Sequence, residues 1–293
     1  MKPSGQPRHA RDLLRIHAAV LLFGFAGLFG SPRLLPLSPI VIVFGRVVFA
    51  ALTLLLAGFV RRDILGPLAR RSLLAFAALG TLLAVHWTTF FQSVQASSVA
   101  LALITYSTFP VFVAFLEPLF FREKLRMVDV VLALVALTGV AVLTPSLALG
   151  DRVTQGVLWG IASGLTFALL SLLNRIFVRR HSSLTIALYQ DGFAAVALLP
   201  FVVRQWPPFT AKEVMLLAVL GVLCTAVAHS LFIAGMNGIS ARSASMIACL
   251  EPLYGAILAA FFLDEIPTVR TVLGGVIVLG VAFYATLRAG RHN

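Results

Sequence analysis

Five ionisable side chains, Arg46, His86, Asp191, His229 and Glu251, stand inside long apolar runs and away from the run ends. A charge held in hydrocarbon costs several kcal/mol, so each needs a partner, water or a task. Arg46 is the sole Lys or Arg in the interior of a run, and a planar guanidinium matches a carboxylate. Asp191 or Glu251 would complement an ammonium, and the three together would hold a zwitterion. The other reading makes them structural charges, paired with backbone carbonyls or side chains, or snorkelling towards water. Glu251 has a third reading, a carboxylate that takes up a proton.

His86 and His229 lie in corresponding runs, one position out of register, where they either line a cavity or make polar helix contacts. Trp87, Tyr106, Trp159, Tyr189, Gln190 and Tyr254 also fall within runs. Rings with a polar tip and amides suit the wall of a wet cavity, and equally serve packing or interfacial anchoring. Trp206, at a run boundary, reads as an anchor. Pro110 and Pro252 each deprive a carbonyl one turn back of its amide partner, which kinks a helix and suits a gate. No catalytic residue, metal or cofactor is expected: H-E-x-x-H is absent, no His or Cys sits at ligand spacing, and Ile161 stands where a rhomboid-type G-x-S-G needs its first glycine. The two cysteines, Cys224 and Cys249, are not in a CxxC pair. G-x-x-x-x-G-K-[ST] does not occur either, so ATP does not drive the protein directly.

The elements that must position these groups are apolar helices. Hydrophobic residues make up 60% of the 293 and charged residues 12%, with mean hydropathy +0.99, which excludes an ordinary soluble domain. The net charge of +12 therefore reads as basic loops that set membrane orientation, not as a nucleic-acid surface. Ten runs are long enough to span, at about residues 16–30, 39–60, 72–94, 98–121, 127–144, 153–178, 184–203, 211–234, 243–263 and 269–287. The first follows a basic N-terminal stretch, and with no A-x-A site after it, it reads as a retained span. With both termini inside, 17 Lys and Arg fall on the inner connectors and five on the outer ones. Adding or losing one span would scramble that split.

The chain also repeats. Residues 243–265, SASMIACLEPLYGAILAAFFLDE, have an imperfect copy at 99–124, and laying Pro110 on Pro252 lays Glu123 on Glu265, 142 residues away. Five spans per half force the second half to enter the bilayer from the opposite side. The expected architecture is thus an all-α membrane protein of two inverted five-helix repeats, 1–148 and 149–293, with its substrate site near the midplane between them. Overlaying Ser38 on Ser183 places Arg46 on Asp191, each about seven residues into its helix from opposite faces and roughly 10 Å apart in depth at 1.5 Å per residue.

Two five-helix halves, each with a small-residue-rich helix entering a block like Leu250-Glu251-Pro252 and closing on Asp264-Glu265 or Arg122-Glu123, resemble the EamA-type branch of the drug/metabolite transporter superfamily. The first block departs from the pattern, with Phe109 where a Glu precedes the proline. Within the branch the chain looks most similar to the YddG-type amino-acid exporters. That resemblance implies a multi-pass protein of the bacterial inner membrane that exports small metabolites, amino acids first and aromatic ones within the range, by alternating access. It implies no nucleic-acid partner; a monomer is sufficient and a dimer stays open. A multidrug or hydrophobic-cation exporter on the same fold is the alternative, and an intramembrane enzyme the alternative of another class. A sugar-phosphate carrier would want clustered intramembrane Lys and Arg, which are lacking. A channel would need a ring of like groups or a polar-lined pore.

Overall fold

The computed structural model describes residues 6–61, 69–121, 125, 127–144, 146, 148–177, 181–235 and 247–289. Lys2, Arg62, Arg122, Glu123, Lys124, Arg126, Arg179, Arg180, Arg242, Arg291 and the first four residues of the 243–265 block lie outside them. The described residues are helical and contain no strand. In chain order the helices are α1 (Gln6–Ala26), extended by a 3-10 turn (Gly27–Gly30), α2 (Pro39–Arg61), α3 (Arg70–Ala96), α4 (Val99–Tyr106), α5 (Phe109–Phe121) and α6 (Met127–Leu143). They continue with α7 (Arg152–Phe177), α8 (Ser183–Arg204), α9 (Ala211–Gly221), a π turn (Val222–Val227), α10 (Ala228–Gly235), α11 (Glu251–Leu263) and α12 (Val269–Ala289). Seven segments are long and apolar enough to cross a membrane, and three shorter apolar helices occupy the expected runs at 127–144, 243–263 and 269–287.

Starts and breaks follow local chemistry. Pro39 opens α2, where its missing N–H costs nothing. Ser98 caps α4 by accepting from Leu101 N, and Ser182 caps α8 the same way from Thr185 N. Thr210 and Glu213 form a capping box at α9. The run expected as one helix over 98–121 is two, because the chain turns at Ser107 and Thr108 and restarts one residue before Pro110. The same turn falls at Cys249 and Leu250, one residue before Glu251-Pro252. A proline is tolerated in the first turn of a helix, and both restarts place one there, whereas Pro118 and Pro200 lie inside α5 and α8 without breaking them.

Packing makes a bundle in which α3 lies against α7 and α8, while α10 and α9 lie against α1 and α2. Next to these, α4 and α5 pack on α7, α11 packs on α1 and α4, and α6 pairs with α12. Two glycines, among several at helix contacts, show how α3 meets α8 and how α9 meets α2. A Cβ on Gly80 would lie 2.6 Å from Phe193 Cβ, 2.7 Å from Gln190 O and 2.9 Å from Ala194 N. On Gly221 it would lie 2.5 Å from Phe49 Cβ, 2.6 Å from Arg46 O and 3.0 Å from Ala50 N. The two contacts have one form, with residues i, i+3 and i+4 of the facing helix meeting the glycine. They put Arg46 level with Gln190, one residue from the Asp191 that the serine overlay suggested. Packing sets this register; connector serines do not.

Candidate functional site

Arg46 stands on α2 with 5% of its surface exposed. Its Nε donates to Thr225 Oγ1 at 2.8 Å, and its guanidinium carbon lies 3.8 Å above the centre of the Trp87 ring. Among the described residues Nη1 and Nη2 have no hydrogen-bond partner and no carboxylate within 4.0 Å, yet they are not sealed from solvent. Arg46 is within electrostatic reach of Asp191, Glu251, Tyr106 and Cys224, and its charge also acts on His86 and His229. The bundle therefore gathers Arg46, His86, Trp87, Tyr106, Asp191, His229 and Glu251 around one centre.

The two acids share one condition. Asp191, 2% exposed on α8, and Glu251, the first residue of α11, accept no side-chain hydrogen bond and form no ion pair among the described residues, and neither is sealed. Unpartnered ionisable groups in an apolar bundle are stabilised by water or by something that replaces it. Glu251 sits at the helix restart, where the free N–H groups of the first turn favour a negative charge.

His86 is held differently. Its Nδ1 lies 3.0 Å from Ser163 O, and Ser163 Oγ in turn donates to His86 O at 3.2 Å. Nδ1 lies equally close, at 3.0 Å, to Ser163 Oγ, and its bond to the Ser163 carbonyl is made when Nδ1 carries the proton. His86 thus ties α3 to α7, the polar helix contact, while its ring faces Phe167 at 5.1 Å and Tyr106 at 5.6 Å. Tyr106, at the end of α4, stacks on Phe109 across the break at 5.5 Å and meets Phe167 and Phe90 edge-on. An aromatic wall results beside Arg46. His229 meets Phe23 edge-on at 5.4 Å.

Other expected cavity residues serve contacts elsewhere. Trp159 is 42% exposed on α7 and has no ring partner among the described residues; Gly156, Gly160 and Ser163 form the face of α7 that packs inward. Tyr189 stacks on the buried Phe76 ring at 5.4 Å, sealing the α3–α8 contact. Gln190 donates from Nε2 to Asn174 Oδ1 at 2.6 Å, linking α8 to α7. Tyr254 OH lies 3.1 Å from His17 Nδ1, linking α11 to α1.

Sequence reasoning did not assign Thr225, Ser163, Phe90, Phe109 or Phe167 to the site. None carries a signal in an apolar run, since a Thr or Ser there is common and a Phe is the default filling. One indirect signal existed. The offset between the halves is 141 residues from Gly80 to Gly221 but 142 from Pro110 to Pro252. A π turn takes up one residue more than an α turn, and Val222–Val227 lies between the two marks. With the extra residue counted, His229 falls level with Trp87, one position past the residue that matches His86.

A helical bundle of membrane-crossing length whose unpartnered charges converge on its interior defines a multi-pass membrane protein with a polar centre. The chain belongs to the EamA-like transporter family, whose profile it matches over residues 13–144 and again over 154–287. It is similar to the uncharacterized transporter YxxF of Bacillus subtilis, 25% identical over 290 residues covering 96% of this chain and 91% of that one. An uncharacterized transporter of Archaeoglobus fulgidus is 30% identical over 240 residues, 81% of this chain and 83% of that one. A protein of Rickettsia bellii described as an S-adenosylmethionine uptake transporter is 24% identical over 206 residues, 70% and 69% of the two chains. A solved crystal structure, 18% identical, shares the fold with a TM-score of 0.64 over 96% of this chain and 97% of its own.

Proposed function

We propose that the protein exports small zwitterionic metabolites, amino acids first and aromatic ones within the range, across the bacterial cytoplasmic membrane by alternating access. The observation that carries this reading is the open pair of Arg46 Nη donors with the unpartnered carboxylates of Asp191 and Glu251 in electrostatic reach. A zwitterion brings what each lacks: its carboxylate takes the guanidinium and its ammonium takes an acid. The aromatic wall of Trp87, Tyr106 and Phe167 supplies apolar surface for a side chain. Outward direction rests on the resemblance to YddG-type exporters.

In this reading the working unit is two inverted five-helix halves, 1–148 and 149–293, with both termini in the cytoplasm. The distribution of basic residues supports the orientation. The inversion is supported by packing that recurs with halves exchanged, α3 on α7 and α8 against α10 and α9 on α1 and α2. The breaks before Pro110 and Pro252 serve as the joints about which each half rocks.

A second reading has one observation in its favour. The Rickettsia relative is described as taking up S-adenosylmethionine, and that molecule carries the same α-amino-acid head group. Uptake of a larger amino-acid conjugate would use the same three charges. Export of hydrophobic cations suits the aromatic wall but leaves the Arg46 donors unused.

The test is transport in proteoliposomes, with a labelled amino-acid panel challenged by unlabelled amino acids, by S-adenosylmethionine and by a cationic dye. Saturable amino-acid flux that the dye leaves alone is expected. Dye movement without amino-acid flux overturns the zwitterion reading, and flux of S-adenosylmethionine alone selects the second.

A further inference from the structure

We propose that the π turn Val222–Val227 exists to aim Arg46, with Thr225 as the positioning residue that turns its Nη edge towards a substrate carboxylate. The inference rests on the reading of Arg46 as the carboxylate anchor and names what makes it one.

A guanidinium can grip a carboxylate with two parallel bonds along two of its edges, one containing Nε and one made of Nη1 and Nη2. Thr225 Oγ1 takes Nε at 2.8 Å, which removes the first edge and leaves the second. Trp87, 3.8 Å away, covers one flat face and fixes the plane of the group. The ring fixes tilt and the hydroxyl fixes rotation within the plane, so no freedom remains for Arg46 to turn away.

The hydroxyl is aimed as well. Thr225 Oγ1 donates its own proton to Leu220 O at 3.0 Å, five residues back, and so presents a lone pair to Arg46. A Thr in an α-helix bonds to the carbonyl three or four residues back, as Thr89, Thr105 and Thr166 do here. The five-residue span belongs to the π turn. Thr225 stands one turn after Gly221, on the face that meets α2, and the π turn decides which carbonyl its hydroxyl reaches: Leu220 O, not one three or four residues back.

The first half has no such device. The stretch equivalent to the π turn is regular α3, with Leu83 and Ala84 buried there, and the residue level with Arg46 is Gln190, whose amide is spent on Asn174. Packing is alike in the two halves, yet here the polar groups differ. A head group with unlike ends is bound by unlike halves, and the π turn is where that difference is built.

The experiment compares Thr225→Val, Thr225→Ser and Arg46→Gln in proteoliposomes, with phenylalanine and its decarboxylated counterpart phenethylamine as competing probes. Thr225→Val is expected to raise the KM for phenylalanine about tenfold with Vmax retained, the effect of one lost hydrogen bond to a charged group. Thr225→Ser is expected to stay within about twofold, since it keeps the hydroxyl. Arg46→Gln is expected to abolish the preference for the acid over the amine. If Arg46→Gln removes that preference while Thr225→Val leaves the KM unchanged, or if Thr225→Ser is as impaired as Val, the positioning role is wrong and the anchor stands. If Arg46→Gln keeps the preference, or phenylalanine is not recognised, the anchor falls and this inference with it. Thr225→Ala replaces Val should the latter not extract as a monodisperse protein.

Discussion

Glu265 should hold one mouth of the bundle shut. Its Oε2 accepts from Val99 N at 3.0 Å, at the start of α4, and its Oε1 accepts from Ser31 Oγ at 3.4 Å, at the end of the 3-10 turn after α1. Arg33 Nη1 ties the same turn to Leu263 O at the end of α11. One carboxylate thus joins α11 to two elements of the other half, at a helix N-terminus where negative charge is favoured. Glu265→Ala removes both bonds. The bond to Val99 N is charge-assisted but half-exposed, worth about 1.5 kcal/mol, and the long bond to Ser31 adds about 0.5 kcal/mol. A loss of about 2 kcal/mol shifts the opening equilibrium roughly thirtyfold. Cys249, half-buried at the turn before Glu251 and in no disulfide, is a native reporter near the central cluster. In a Cys224→Ser background, a small membrane-impermeant thiol reagent should label Cys249 about thirty times faster in Glu265→Ala from the side of this mouth, and Glu265→Gln should fall between. Equal rates in Glu265→Ala and the parent, from either side, would refute the clamp.

Three further outcomes are expected. Gly80→Ala should cost about 1–3 kcal/mol of unfolding free energy in detergent, because its Cβ meets Phe193 and the α8 backbone, whereas Gly280→Ala, with nothing within 4 Å, should be neutral or slightly stabilising. Asp264 has φ 55°, the left-handed region, so Asp264→Gly should stabilise by up to about 1 kcal/mol and Asp264→Val should destabilise by a similar amount or more, read from the same unfolding curves. His86→Ala should lower stability by about 2 kcal/mol through the lost Ser163 link and the cavity left among the rings, and His86→Gln should recover part of it by donating to Ser163 O.

The sequence by itself determined the membrane helices, because hydropathy is a local sum and needs no partner. It did not determine the two breaks, since Pro118 and Pro200 lie inside unbroken helices, but it marked Arg46, Asp191 and Glu251 as the costly groups, whose burial cost is local too. Family membership was legible in the block around Pro252 for the same local reason. Only the tertiary structure decided which way each side chain points. Trp159, Tyr189 and Tyr254 sit in spans that line the interior, but packing of helix on helix turned them to the outer surface, to Phe76 and to His17. Thr225 became the partner of Arg46 through helix packing, its hydroxyl turned to Leu220 O by a π turn whose extra residue rotates everything beyond it by about 100°. No hydropathy pattern registers such a rotation, because apolar residues stand on every side of this helix.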